Sequence, residues 1–181
     1  MGYGVNRSKD MYRKATENDI AAVAAIYERI HDGEEQIRQT GWLRGVYPVE
    51  ATARNALVRG DLFVYEEDGE VLASAVINKL QVDVYADCTW SCDAPDDKVM
   101  VLHTLSVSPD AMGKGIGKRF VGFYEDCARE CGCTVVRLDT NEINARARRM
   151  YTNLGYTEVG VVPCLFNGIP GVNLVCLDKI L

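Results

Sequence analysis

The sequence predicts a single α/β (α+β) domain, residues 1–181, built on one mixed sheet flanked by helices. Three observations carry that prediction. Strand-like and helix-like segments are interspersed along all 181 residues, with no long linker, internal repeat or low-complexity tract, which calls for helices packed on one sheet. That length suffices for one well-buried core and is short for two. Hydrophobic residues make up 48% of the chain and charged residues 25%, the balance of a soluble globular protein.

Each element follows from its local pattern. "YRKAT" at 12–16 reads as a short first strand. In the next stretch Ile20, Val23, Ile26, Tyr27 and Ile30 recur at helical spacing behind Thr16, an N-cap residue with Asp19 three positions on. "TGWLRGVYP" is a loop, and a second helix is expected over about 49–58. Residues 62–78 hold two β-prone runs joined at Asp68-Gly69, a hairpin signal. The polar stretch 82–97, with Trp90 inside, is expected to be a loop. "KVMVLHTLSVSP" reads as a buried strand ended by Pro109. The helix after it carries an apolar stripe of Phe120, Val121, Tyr124, Cys127 and Cys131, and stops at Gly132. A strand "TVVRLDTN", a helix "INARARRMYTNLG" and two terminal strands complete the chain.

Charge and cysteine content exclude several function classes. The net charge of −6 argues against a general nucleic-acid binder, whose footprint is basic. No apolar run approaches the roughly 20 residues of a membrane span, and the first sixteen residues lack a signal-peptide core. Met1-Gly2 is followed by Asn6 where a myristoylation site needs Ser or Thr. The seven cysteines are odd in number, and neither paired Cys-x-x-Cys units nor nearby histidines accompany them. No metal site is expected. Reduced core thiols in a cytoplasmic protein are the reading.

The stretch "SPDAMGKGIGKR" at 108–119 carries the chemistry. Glycines at alternate positions between a strand and a helix let backbone N–H groups face a ligand, and the lysines beside them point to an anion such as phosphate. Two familiar phosphate loops fail against it. A P-loop ending at Gly117-Lys118 would put Met112 at its first glycine and Arg119 at its hydroxyl position. The dinucleotide fingerprint needs G-x-G-x-x-G, whereas the spacing here is G-x-G-x-G.

The pattern that matches is similar to that of the GCN5-related N-acetyltransferases, the GNAT family. Met112-x-x-Gly115-x-Gly117 after the strand "LHTLSVSP", and Asn144 seven residues before Tyr151 in "LDTNEINARARRMYTNLGY", occur in the family's order, about 30 residues apart. The resemblance runs from "YRKATENDI" to the final strands. It implies a mixed sheet splayed between its two central strands, with acetyl-CoA as cofactor. Met112, Gly113, Lys114, Gly115, Ile116, Gly117 and Lys118 would hold its pyrophosphate. Leu105, Ser106 and Val107 would hold the pantetheine arm, the N–H near Leu105 would face the acetyl carbonyl, and Asn144 would join the cofactor site. Met112 stands where the family has Arg or Gln, and Lys114, Lys118 and Arg119 are candidates to compensate.

The same resemblance makes Tyr151 the general acid, since a phenol with a pKa near 10 is protonated at neutral pH and can supply a thiolate of pKa about 8.5. His103 is the candidate general base, and strand alternation places it on one face with Leu105 and Val107. Trp42 and Tyr47 would wall the acceptor, and Asp139 either assists or pairs with Arg137 or Arg146. Trp90 and the acidic loop after it are further candidates for the cavity mouth. The expected reaction moves an acetyl group to a primary amine by direct attack in a ternary complex, since neither cofactor motif contains a cysteine nucleophile. A small metabolite, an antibiotic, a peptide N-terminus and a lysine all stay open as acceptors. A non-catalytic acyl-CoA-binding regulatory module is the alternative, and pairing as a homodimer is expected by analogy.

Overall fold

A computed structural model describes residues 11–181. The readings made on Met1, Gly2 and Asn6 lie outside the described residues. A seven-stranded sheet in the order β1-β2-β3-β4-β5-β7-β6 organises the chain. Its strands are β1 Met11–Lys14, β2 Leu62–Glu67, β3 Glu70–Asn78, β4 Val99–Val107, β5 Val135–Asn141, β6 Thr157–Phe166 and β7 Ile169–Ile180. All neighbours are antiparallel except β4 and β5, which run parallel.

The helices are α1 Ile20–Asp32, α2 Glu34–Thr40, α3 Glu50–Arg59, α4 Ile116–Glu130 and α5 Ala145–Asn153. Thr16 caps a short turn, Glu17–Asp19, that leads into α1, whose own N-cap is Asp19. The Asp19 carboxylate accepts hydrogen bonds from the Thr16 N–H at 2.7 Å and the Thr16 hydroxyl at 2.9 Å. The β2–β3 hairpin turns at Asp68-Gly69, both with positive φ, as a type I′ loop requires. One helix went unpredicted. The sequence "EEQIRQT" folds as α2, which buries no residue and so leaves no apolar period to detect.

The sheet is covered on both faces. Met100, Leu102, Val136, Leu138, Val175 and Leu177 pack under α4 and the Tyr151 ring of α5. On the opposite face, Val64 and Val76 meet α1 and α3, while Val99, Val101, Val135 and Cys176 lie under the irregular segment between β3 and β4. The predicted stripe on α4 needs a correction. Its buried line is Ile116, Phe120, Val121, Tyr124 and Ala128, whereas Cys127 is half-buried and Cys131 exposed. Cys131 is the residue that caps the helix, so the helical period no longer directs it inward. Only Cys133 and Cys176 of the seven thiols are buried, so core thiols describe two of them. Among the described residues no helix is long and apolar enough to cross a membrane.

Candidate active site

The site opens where the two central strands part. β4 and β5 pair from Val99↔Val135 to Leu102↔Leu138 and no further, so the β4 edge beyond Leu102 is left facing a gap. At that point β4 also carries an extra residue. Ser74 pairs Ser106 and Val76 pairs His103, so Thr104 and Leu105 together oppose Ala75. Thr104 takes φ 51°, a left-handed conformation that costs a non-glycine residue about 1–2 kcal/mol and recurs at functional sites.

This bulge overturns one expectation. A one-residue slip exchanges the faces of everything beyond it. His103 therefore shares the face of Val76, its cross-strand partner, while Leu105 and Val107 pack on the α4 side. His103 Nε2 donates to Asn78 Oδ1 at 3.1 Å, and Asn78 in turn donates to Asp61 at 2.8 Å. Burial pushes the imidazole down to about 4, against the opposing pull of Asp61 and a backbone hydrogen bond at Leu80. So low a value makes His103 a neutral but weak base at pH 7.

On the α4 side lies a groove of about 390 Å³, lined by Leu105, Ser106 and Val107 of β4 and by the glycine loop. Gly113 and Gly115 hold φ of 84° and 74°, which explains glycine at both positions. Among the described residues the N–H groups from Gly113 to Lys118 find no protein acceptor, and they gather at the N-terminus of α4. A cradle of free donors on the positive end of a helix fits a pyrophosphate. Met112, Ile116, Gly117, Lys118 and Asn144 line the same groove. Asn144 also caps α5, its Oδ1 accepting from Ala147 N at 3.1 Å, which leaves its amide N–H₂ for the groove.

Two predicted contributors stand elsewhere. Lys114 does not line the groove. Arg119 is occupied bracing the loop, donating to the Lys114 carbonyl at 2.8 Å with its cation 5.7 Å from the Tyr65 ring. Arg146, which the sequence reading did not select, lines the groove instead. The Met112 sulfur accepts from the Gln36 amide of α2 at 3.6 Å and offers the groove no charge. Met112→Arg is therefore expected to tighten acetyl-CoA binding roughly tenfold, the worth of one charge-assisted hydrogen bond. Calorimetric titration reads this directly, and an unchanged Kd would mean that the backbone cradle already saturates the pyrophosphate.

A second, larger cavity of about 1020 Å³ opens where β4 and β5 part. Trp42 and Tyr47 line it, their rings edge-to-face at 6.0 Å. Their loop is held at its C-terminal end, by His31 Nε2 donating to the Pro48 carbonyl at 3.0 Å and by a short hydrogen bond between the Tyr47 and Thr104 hydroxyls. Trp90 does not reach the cavity; it packs under the Arg137 guanidinium, 4.1 Å away.

Thr40, Trp42, Leu105, Asn144, Ala147 and Tyr151 line both cavities and so form the wall between them. Tyr151 is buried, its ring edge-on to Tyr156 at 5.8 Å. Among the described residues its hydroxyl has no hydrogen-bond partner. Burial and the nearby Asp139 charge push the phenol up, so it stays protonated at any physiological pH. Asp139 pairs with neither Arg137 nor Arg146. It lines the larger cavity and accepts from the Tyr85 hydroxyl at 2.6 Å. Burial lifts its carboxyl to about 6.

Comparison with known proteins agrees with this fold. The Acetyltransferase (GNAT) family profile matches residues 20–156. The uncharacterized N-acetyltransferase YhfO of Bacillus subtilis strain 168 is 28% identical over 148 residues, covering 81% of this chain and 89% of that protein. A GCN5-related N-acetyltransferase from Kribbella flavida has the same fold at TM-score 0.69 and 22% identity, over 94% of this chain and 97% of that one. The yncA chain from Salmonella typhimurium, solved with its cofactor acetyl-CoA, gives TM-score 0.68 at 22% identity, over 96% and 94%. With most of its length matched by the family profile, the chain belongs to the GNAT family and is an N-acetyltransferase whose donor is acetyl-CoA.

Proposed function

We propose that the larger cavity takes a primary amine and the smaller groove takes acetyl-CoA, with transfer by direct attack through the gap they share. The observation that carries this reading is Tyr151, a buried phenol with a free hydroxyl in the wall common to both cavities. Acetyl-CoA supplies a thioester carbonyl and a thiolate leaving group. The backbone of Gly113, Gly115, Ile116, Gly117 and Lys118 holds its pyrophosphate, and Leu105, Ser106 and Val107 hold the pantetheine arm along the unpaired edge of β4. Asp139 binds the acceptor ammonium as a carboxylate and takes its proton, leaving the neutral amine to form the new C–N bond. Tyr151 gives its proton to the sulfur as the C–S bond breaks, and the second amine proton, lost as the amide forms, restores the Tyr151 phenol.

Asp139 displaces His103 as the proton acceptor in this reading. A carboxyl titrating near 6 is ionised at pH 7 and still basic enough to accept a proton in the transition state, whereas an imidazole near 4 is a far weaker acceptor. His103 and Asn78, the latter donating to Asp61, instead shape the far wall. Trp42, Tyr47 and Phe166 give the cavity aromatic sides, which suit an amine carrying apolar or aromatic bulk. Seven unpaired thiols suit the reducing cytoplasm. The outer strand β6 leaves Val161 and Leu165 exposed, where two copies could meet.

The test is calorimetric titration with acetyl-CoA, followed by assay of free CoA release over a panel of primary amines. Micromolar binding with thiol release on one class of amine is the expected result. Tight binding with no release on any amine would replace the enzyme by a cofactor-sensing module.

A further inference from the structure

We infer that Tyr85 is a positioning residue for the reaction, its phenol pinning the Asp139 carboxylate in the wall of the acceptor cavity. The inference rests on the reading of Asp139 as proton acceptor. Tyr85 belongs to the segment between β3 and β4, in a short helical turn at Asp83–Asp87, and is 3% exposed. Its hydroxyl donates to Asp139 Oδ2 at 2.6 Å. Among the described residues no other group donates a hydrogen bond to that carboxylate, which leaves Oδ1 for the incoming amine.

The ring is held from behind. Trp90 stacks edge-on against it at 5.0 Å and donates its indole N–H to the Tyr85 carbonyl at 3.0 Å. Arg137 covers the other face of this arrangement, its cation on Trp90 and its Nη1 donating to Gln81 Oε1 at 3.1 Å. Ser91 closes the segment onto β7, its N–H and hydroxyl donating to Asp178 at 2.8 and 2.7 Å. Residues 81–91 are thus fastened to β5 and β7 by side chains of one sheet face, and Tyr85 is where that fastening meets Asp139 in the cavity wall.

A tyrosine suits the task. The titratable groups facing Asp139 are Tyr85 itself, Tyr47 from the loop before α3, Tyr151 from α5, Cys164 from β6 and Cys176 from β7. None is a cation; the nearest on its own strand, Arg137, is turned onto Trp90. Burial alone would drive the carboxyl to its neutral form. The Tyr85 hydrogen bond opposes this without a charge that would repel the acceptor ammonium, and Tyr85, pushed well above 10 by burial and by Asp139, never ionises in its place.

Tyr85→Phe keeps the ring and its packing and removes the one donor. Protonation of Asp139 can be followed without an acceptor, by infrared difference spectroscopy of the buried carboxyl band across the pH range. The expected midpoint near 6 should rise by roughly one pH unit in Tyr85→Phe, as loss of a hydrogen bond to the ionised form requires. The band should be absent in Asp139→Asn, with acetyl-CoA affinity unchanged in both variants. A midpoint that does not move in Tyr85→Phe overturns the inference. Asp139→Asn releasing CoA as fast as the parent with the best amine of the panel overturns the proton-acceptor reading itself.

Discussion

Tyr151→Phe is expected to lower kcat by roughly 100- to 10,000-fold, the usual worth of a placed general acid, while the Kd for acetyl-CoA stays within about twofold. The ring carries the packing, against Tyr156 at 5.8 Å and the core under α4, and phenylalanine keeps it. The hydroxyl holds no partner among the described residues, so its removal leaves no donor or acceptor stranded there and costs little stability. What is lost is the proton that meets the leaving thiolate. Single-turnover rates with bound acetyl-CoA, set beside calorimetric Kd values, separate the two effects. Equal losses in rate and binding would make Tyr151 a structural residue of the wall.

Gly115→Val is expected to raise the Kd for acetyl-CoA by more than about 100-fold in a protein that still folds. Gly115 sits at φ 74° as the N-cap of α4, and a β-branched residue forced there pays about 1–2 kcal/mol or leaves that conformation. The space itself is not the obstacle, since an added Cβ meets only Arg119 Nη1, at 3.6 Å. The loss comes from the backbone. A loop that escapes the left-handed region turns the N–H groups of Gly113 to Lys118 out of their common cradle. Circular dichroism and thermal melting would show the fold retained, and calorimetry the binding lost. Retained binding would reduce the glycine stretch to a tight turn.

Much of this molecule was legible because its signals are local. The glycine loop leading into α4, the Thr16–Asp19 start of α1 and the Asp68-Gly69 turn each specify their own backbone within a few residues. The cavity wall was half legible. Asn144, Ala147 and Tyr151 share a helix face by simple periodicity, but Asp139 finds its partner in Tyr85, 54 positions away. The segment that carries Tyr85 is polar and aperiodic, and nothing in its composition distinguishes a strapped-down turn from a free loop. The helix α2 escaped for a related reason, having no buried side. His103 was misplaced because alternation cannot count an extra residue that has no side-chain signature of its own.

That extra residue gives β4 an unusual freedom. A regular strand speaks to one layer with its odd positions and to the other with its even ones, from end to end. The shift at Thr104 lets a single nine-residue strand change its address midway: below it the odd positions serve one compartment, above it they serve the other. Insertions or deletions of one residue between Leu102 and Leu105 would swap those allegiances, turning the side chains of the smaller groove into the larger cavity and the reverse. Chain length at that spot is therefore under a tighter constraint than residue identity. Engineering that seeks a new acceptor can vary Phe166 of the larger cavity, provided it leaves the count of β4 alone.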